Sequence, residues 1–166
     1  TGGMIYMELF LVPKGSKFIV QDKKKRLLYT VKKKAFGGKF LLLDASGYEL
    51  YSFINTIQGK KPEFNIILND KIFMTIKCLS VFLDPSIEFD YQEDKFKDIK
   101  YTLKSSDRKN FTLLRNNEEV GSVRTIVDMD KDLCYEISIE DQFFDDYIPL
   151  FALAVERAFG DMNKNK

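Results

Sequence analysis

The chain has 166 residues, 45% of them apolar and 31% charged, with a formal net charge of +1. That size and balance fit one globular domain with a real core, and near-neutrality gives no general attraction to nucleic acid. Histidine is absent, which removes Ser-His-Asp and Cys-His catalysis and the usual histidine-containing zinc sites.

Thr1-Gly2-Gly3 ahead of Met4 reads as a cloning remnant. Residues 4–12 are mildly apolar but contain Glu8 and lack a basic leader, so they are not expected to be a secretory signal. A repeat follows. "KFIVQDKKKRLLYTV" from Lys17, "KFLLLDASGYELYSF" from Lys39, "EFNIILNDKIFMTI" from Glu63 and "NFTLLRNNEEVGSV" from Asn110 align in register. Each has an aromatic second residue (Phe18, Phe40, Phe64, Phe111), an apolar run, a polar turn and a second apolar run. "DASG", "RNNEE" and the "ND" at 69–70 are turn chemistry, so each unit predicts a β-hairpin. "IEFDYQ" at 87–92, "KYTLKSS" at 100–106 and "CYEISIE" at 134–140 supply further strands, for a total of about ten to twelve. Alternation does not assign the faces. The aligned columns Leu28/Leu50/Ile72 and Tyr29/Tyr51/Phe73 are both apolar, where a sheet with one wet face should show contrast.

The last element is different. From Tyr147 to Phe159 only Pro149, Glu156 and Arg157 interrupt an apolar run. Asp145 or Asp146 suits a helix N-cap, Pro149 the first turn and Gly160 a stop. Thirteen helical residues span about 20 Å, short of the roughly 30 Å of a bilayer core. A helix apolar all round that does not cross a membrane is buried in protein. A string of hairpins ending in such a helix predicts a closed barrel with the helix inside it. The closed sheet has no free edge, and the helix fills a lumen too wide for strand side chains alone.

"KFIVQDKKKRLLYTVKKKAFGGKFLLLDASGYEL" and the terminal "LFALAVERAFG" resemble the LURP-one-related proteins, within the wider group that has a Tubby C-terminal-like fold and includes the phospholipid scramblases. The resemblance spans nearly the whole chain and implies a mainly β fold: a closed antiparallel barrel of about twelve strands around a buried hydrophobic C-terminal helix. It carries no catalytic motif. In the wider group, Tubby proteins bind phosphoinositide head groups through basic surface residues, and scramblases are associated with lipid movement. The plant LURP-one-related proteins are linked to defence. The expected organisation is a single domain over 4–160 with a polar tail over 161–166.

Charge is uneven along the chain: residues 1–80 carry 14 Lys and Arg against 6 Asp and Glu, and residues 81–166 carry 12 against 19. Turns within hairpins (22–26, 45–47, 69–70) should lie at one end of the barrel, and loops between hairpins (34–38, 55–62, 79–86) at the other. Lys23, Lys24, Lys25 and Arg26 therefore belong to the first end. Lys32, Lys33, Lys34, Lys39, Lys60 and Lys61 converge on the second, with Gly37-Gly38 placed to offer backbone N–H groups to an anion. These six lysines are the candidate anion-binding site. The competing reading is that lysines at strand ends are solvated and guard against edge association.

"DMDKD" at 128–132 resembles the start of a calcium loop, but Leu133 and Ile139 stand where such a loop needs Gly and Glu. A hairpin loop is expected instead. Glu156-Arg157 reads as a salt-bridged or snorkelling pair at the barrel mouth, and Cys78 and Cys134 as buried thiols of a cytoplasmic protein. The expected function is non-enzymatic binding, with no cofactor and no metal. The partners would be anionic phospholipid head groups, other phosphates or an unidentified protein, with no nucleic acid and no transmembrane span. The protein would be cytoplasmic and peripheral to the membrane. The alternative is a small-ligand carrier or enzyme with a pocket between helix and barrel wall.

Overall fold

The computed structural model describes residues 4–35, 37–56 and 59–164; the expected cloning remnant at 1–3 lies outside them. Twelve strands follow one another: β1 (Tyr6–Lys14), β2 (Lys17–Gln21), β3 (Leu27–Lys33), β4 (Lys39–Asp44), β5 (Glu49–Asn55), β6 (Glu63–Leu68), β7 (Lys71–Ser80), β8 (Ser86–Tyr91), β9 (Lys100–Ser105), β10 (Asn110–Arg115), β11 (Glu118–Val127) and β12 (Leu133–Glu140). Each pairs antiparallel with its neighbours in sequence. β12 closes on β1 in a register running from Tyr6 opposite Glu140 to Leu11 opposite Tyr135. Closure leaves no edge strand.

The repeat is real at atomic detail, and it explains the two apolar columns except for Ile72, which is 46% exposed. In β2–β3 the register steps over Leu28, in β4–β5 over Leu50, in β6–β7 over Phe73 and in β10–β11 over Val120. The four repeat units therefore carry a bulge at the same place. A bulge sets two residues of one strand against one of its partner and breaks the in–out alternation. Leu28, Leu50 and Phe73 pack against the core alongside the inward residues that follow them. Just past the last bulge, Gly121 lies so close to β12 that a Cβ there would sit 2.0 Å from the Ser138 carbonyl oxygen. That position needs glycine because of the approach of another backbone.

Three loops share one hydrogen-bonding scheme. In "DKKKR", "DASGY" and "DMDKD" the leading carboxylate of Asp22, Asp44 or Asp128 accepts the N–H groups two and four residues on. The fourth residue takes positive φ (Lys25 63°, Gly47 92°, Lys131 63°). Asx geometry of this kind fixes a short loop from within. Asn69-Asp70 and Asn116-Asn117, all with positive φ, form the tight two-residue turns that suit twisted hairpins.

The helix α1 (Pro149–Lys164) runs through the barrel. Its residues from Leu150 to Val155 are 0% exposed. Phe151 stacks on Phe89 of β8 at 3.9 Å and meets Tyr101 of β9 at 5.4 Å, and Phe159 meets Phe111 of β10 at 5.4 Å. On the other side Arg157 lies over Phe40 of β4. Walls from both halves of the chain therefore enclose it. Each apolar side chain buried this way contributes about 1.5–3 kcal/mol.

Two details differ from the sequence expectation. The Asp145 and Asp146 carboxylates do not cap the helix: Asp146 accepts the Tyr29 hydroxyl at 2.5 Å, and Asp145 accepts the Asp146 N–H. A tertiary donor outcompetes the helix end. Nor does Gly160 stop the helix, which continues for four residues. Asn163 is buried and donates to the Arg108 carbonyl at 2.9 Å, so residues 161–164 belong to the packed domain. A Cβ at Gly160 would stand 3.3 Å from the Glu156 carboxylate and 3.5 Å from the Tyr135 hydroxyl.

Candidate functional site

The topology gives the barrel two unlike ends. At the entry end, residues 141–148 lead the chain into the lumen, beside the turns at 22–26, 45–48, 69–70, 92–99 and 116–117. At the exit end lie the helix C-terminus and the loops at 15–16, 34–35, 37–38, 59–62, 81–85, 106–109 and 128–132. The sorting of turns and loops expected from the hairpin order holds for the described residues.

All six candidate lysines are exposed and lie at the exit end. Lys32, Lys33, Lys34 and Lys39 come together where β3 meets β4: Lys33 stands opposite Phe40, and the Lys34 N–H bonds the Lys39 carbonyl at 2.8 Å. Lys60 and Lys61 lie one loop further round. Lys61 turns toward β7, donating to the Leu79 carbonyl at 2.7 Å. Gly37 and Gly38 both have positive φ (82° and 61°).

Sequence reading missed Lys14 and Lys17. Register places Lys14 opposite Lys17 and Lys17 opposite Lys32. Directly opposed residues in antiparallel strands point to the same face, with Cβ atoms about 4.5–5.5 Å apart, and like charges so placed repel. Three ammonium groups thus form a row across β1, β2 and β3. The available signal was Lys17, which opens its repeat unit as Lys39 opens the next. Among the described residues none of these eight lysines forms an ion pair with a carboxylate.

The basic cluster at the entry end behaves differently. Lys23 pairs with Glu8 at 2.6 Å and Arg26 with Asp22 at 2.7 Å. Backbone hydrogen bonds, first that of Arg26, hold the Asp22 carboxyl below its usual range. Two of the loop's four cations are thus paired, one within the loop and one with β1.

Inside the exit mouth a cleft of about 300 Å³ lies between helix and wall, lined among others by Lys17, Lys33, Phe40, Glu156, Arg157 and Lys164. Burial pushes the Glu156 carboxyl up, and Arg157, bonded to it at 3.2 Å, pulls it part of the way back. The fully buried Tyr135 hydroxyl near Glu156 has no hydrogen-bond partner among the described residues. A second cleft of about 470 Å³ at the entry end lies among Leu28, Tyr29, Asp44, Leu50, Phe144 and Asp146.

The other polar groups have structural work. Asp128 braces its own loop through the Asp130 and Asp132 N–H groups. Among the described residues no cluster of three or more metal-ligating side chains occurs. Burial raises the Cys78 thiol to about 11, so it is protonated at neutral pH and a poor nucleophile. No helix among the described residues is long and apolar enough to cross a membrane.

The chain is similar to a solved X-ray structure of a protein from Arabidopsis thaliana, at 19% identity and a TM-score of 0.63, over 95% of this chain and 91% of that one. At that identity the likeness is one of fold. No curated protein matches. The sequence profile described as LURP-one-related matches residues 5–156, which takes in all twelve strands and the first half of the helix; the chain belongs to the LURP-one-related family.

Proposed function

We propose that the chain is a binding domain without catalytic activity whose exit end engages anionic phospholipid head groups, holding a cytoplasmic protein at the membrane periphery. The observation that carries this is the row Lys14–Lys17–Lys32, set in register and, among the described residues, in no ion pair with a carboxylate. Opposed like charges weaken a sheet, and an anionic surface converts that cost into attraction. Each lysine near such a surface contributes about 1 kcal/mol. Lysine is a mobile, strongly hydrated point charge, so the rim suits diffuse attraction over tight recognition of one head group.

Co-sedimentation with phosphatidylcholine vesicles, with and without phosphatidylserine, tests the reading. Binding is expected only with the anionic lipid. It should fall steeply with salt, since the Debye length shrinks from about 10 Å at 0.1 M to about 3 Å at 1 M. Equal binding to both vesicle types, or none to either, overturns it. The exit cleft favours a second reading, a small anionic ligand held between helix and wall by Lys17, Lys33 and Lys164. Titration with inorganic phosphate, followed at Phe18 and Phe40 by NMR, tests that one.

A further inference from the structure

The β7–β8 loop exposes large apolar side chains in a place where a water-soluble surface has no use for them. Phe82 is 75% exposed, Leu83 84% and Leu79 43%. The loop is braced: the Ser80 hydroxyl donates to the Leu83 carbonyl, and Pro85 is buried, its carbonyl accepting the Ser105 N–H at 2.9 Å. It is also tied to the basic rim. Lys61 donates to the Leu79 carbonyl at 2.7 Å, and the Cys78 N–H bonds the Pro62 carbonyl at 3.0 Å. The loop's own carboxylate, Asp84, shares a cleft with Lys104.

We infer that the Phe82–Leu83 tip inserts into the interfacial layer of an anionic bilayer while the neighbouring lysines hold the head groups. This rests on the lipid reading above and adds the membrane contact that diffuse charge lacks. Lysines and bulky apolar side chains on one rim are complementary to the two layers a bilayer presents, head group and acyl chain. Asp128, Asp130 and Asp132 sit on the β11–β12 loop, four strand positions round the mouth from β7–β8, so the insertion tip is clear of the acidic loop.

The chain contains no tryptophan, so Leu83→Trp gives a single-site reporter. With phosphatidylserine-containing vesicles its emission shifts to the blue and is quenched by lipids brominated on the acyl chain. Tyr48→Trp, 69% exposed at the entry end, stays unshifted. The Phe82→Ser/Leu83→Ser variant retains binding at low salt but loses the fraction that survives high salt. Co-sedimentation of wild-type protein with unchanged Leu83→Trp emission overturns insertion and leaves the charge reading standing. Failure of the wild type to sediment overturns both.

Discussion

Both ends of the barrel carry clustered lysines, yet they use them in opposite ways. At the entry end the "DKKKR" loop is closed by its own Asp22, and Lys23 and Arg26 reach carboxylates at 2.6 and 2.7 Å. At the exit end the lysines occupy strand termini, face one another across the register, and meet no carboxylate among the described residues. The difference teaches that a run of lysines in sequence is not a site. "DKKKR" is the denser cluster, but two of its four cations, Lys23 and Arg26, are paired where they stand. The dispersed lysines of "KFIV", "VKKKAFGGK" and "GKK" are gathered by topology, and among the described residues none of them forms an ion pair.

The helix joins the two ends, and replacing its centre should disable both together. Leu153 is wholly buried, so Leu153→Asp places an unpaired charge in the interior and should cost roughly 4 kcal/mol or more. That approaches the whole stability of a domain of this size. Loss of near-ultraviolet circular dichroism and of cooperative unfolding checks it. A folded variant with an unchanged melting temperature contradicts the threaded helix.

A smaller effect separates the ends by pH. At the exit end burial raises the Glu156 carboxyl. An acid raised on folding penalises the folded state once pH climbs through the folded value, and the penalty vanishes below the unfolded value of about 4.3. Glu156→Gln should therefore be slightly more stable than wild type at neutral pH, with the advantage fading on acidification. At the entry end Asp22 and Asp44 are held low, by the Arg26 backbone N–H and the Ser46 hydroxyl respectively. Their stabilisation is present above the unfolded value and lost as pH falls through the lower folded one, so Asp22→Asn should be less stable at neutral pH and converge with wild type in acid. Urea midpoints across the pH range read both. Parallel behaviour of the two variants would erase the distinction.

The smallest effects should differ in sign. Lys17→Glu converts opposed like charges into a cross-strand pair with Lys14 and Lys32 and should raise the melting temperature slightly. Lys23→Glu breaks the contact with Glu8 and should lower it slightly. Both shifts should disappear in molar salt. Calorimetry at low and high ionic strength gives the comparison, and shifts of the same sign contradict it.

Much of this fold was legible because the repeat is written in residues that act locally. The turn aspartates and the asparagines of the two-residue turns act within a few residues of themselves. Face assignment failed because a bulge at Leu28, Leu50 and Phe73 shifts the alternation, and a bulge leaves no compositional mark. The helix boundaries failed for a tertiary reason: Tyr29 claims Asp146, and the helix runs past Gly160 to seat Asn163 against the Arg108 carbonyl. Hairpin order placed the six lysines at one end without showing that Lys61 turns aside to Leu79. Lys14 and Lys17 were missed because they join the site only when β1, β2 and β3 are set in register.

The central claim is that the exit end, and not basic charge at large, holds an anionic membrane. Charge reversal at each end tests it directly, with folding of both variants checked by circular dichroism. Lys34→Glu/Lys39→Glu/Lys60→Glu should abolish sedimentation with phosphatidylserine-containing vesicles, and Lys23→Glu/Lys24→Glu/Lys25→Glu should leave it close to wild type. Equal loss from the two triple variants would show that the field of the whole chain does the binding, and that the exit end is no site.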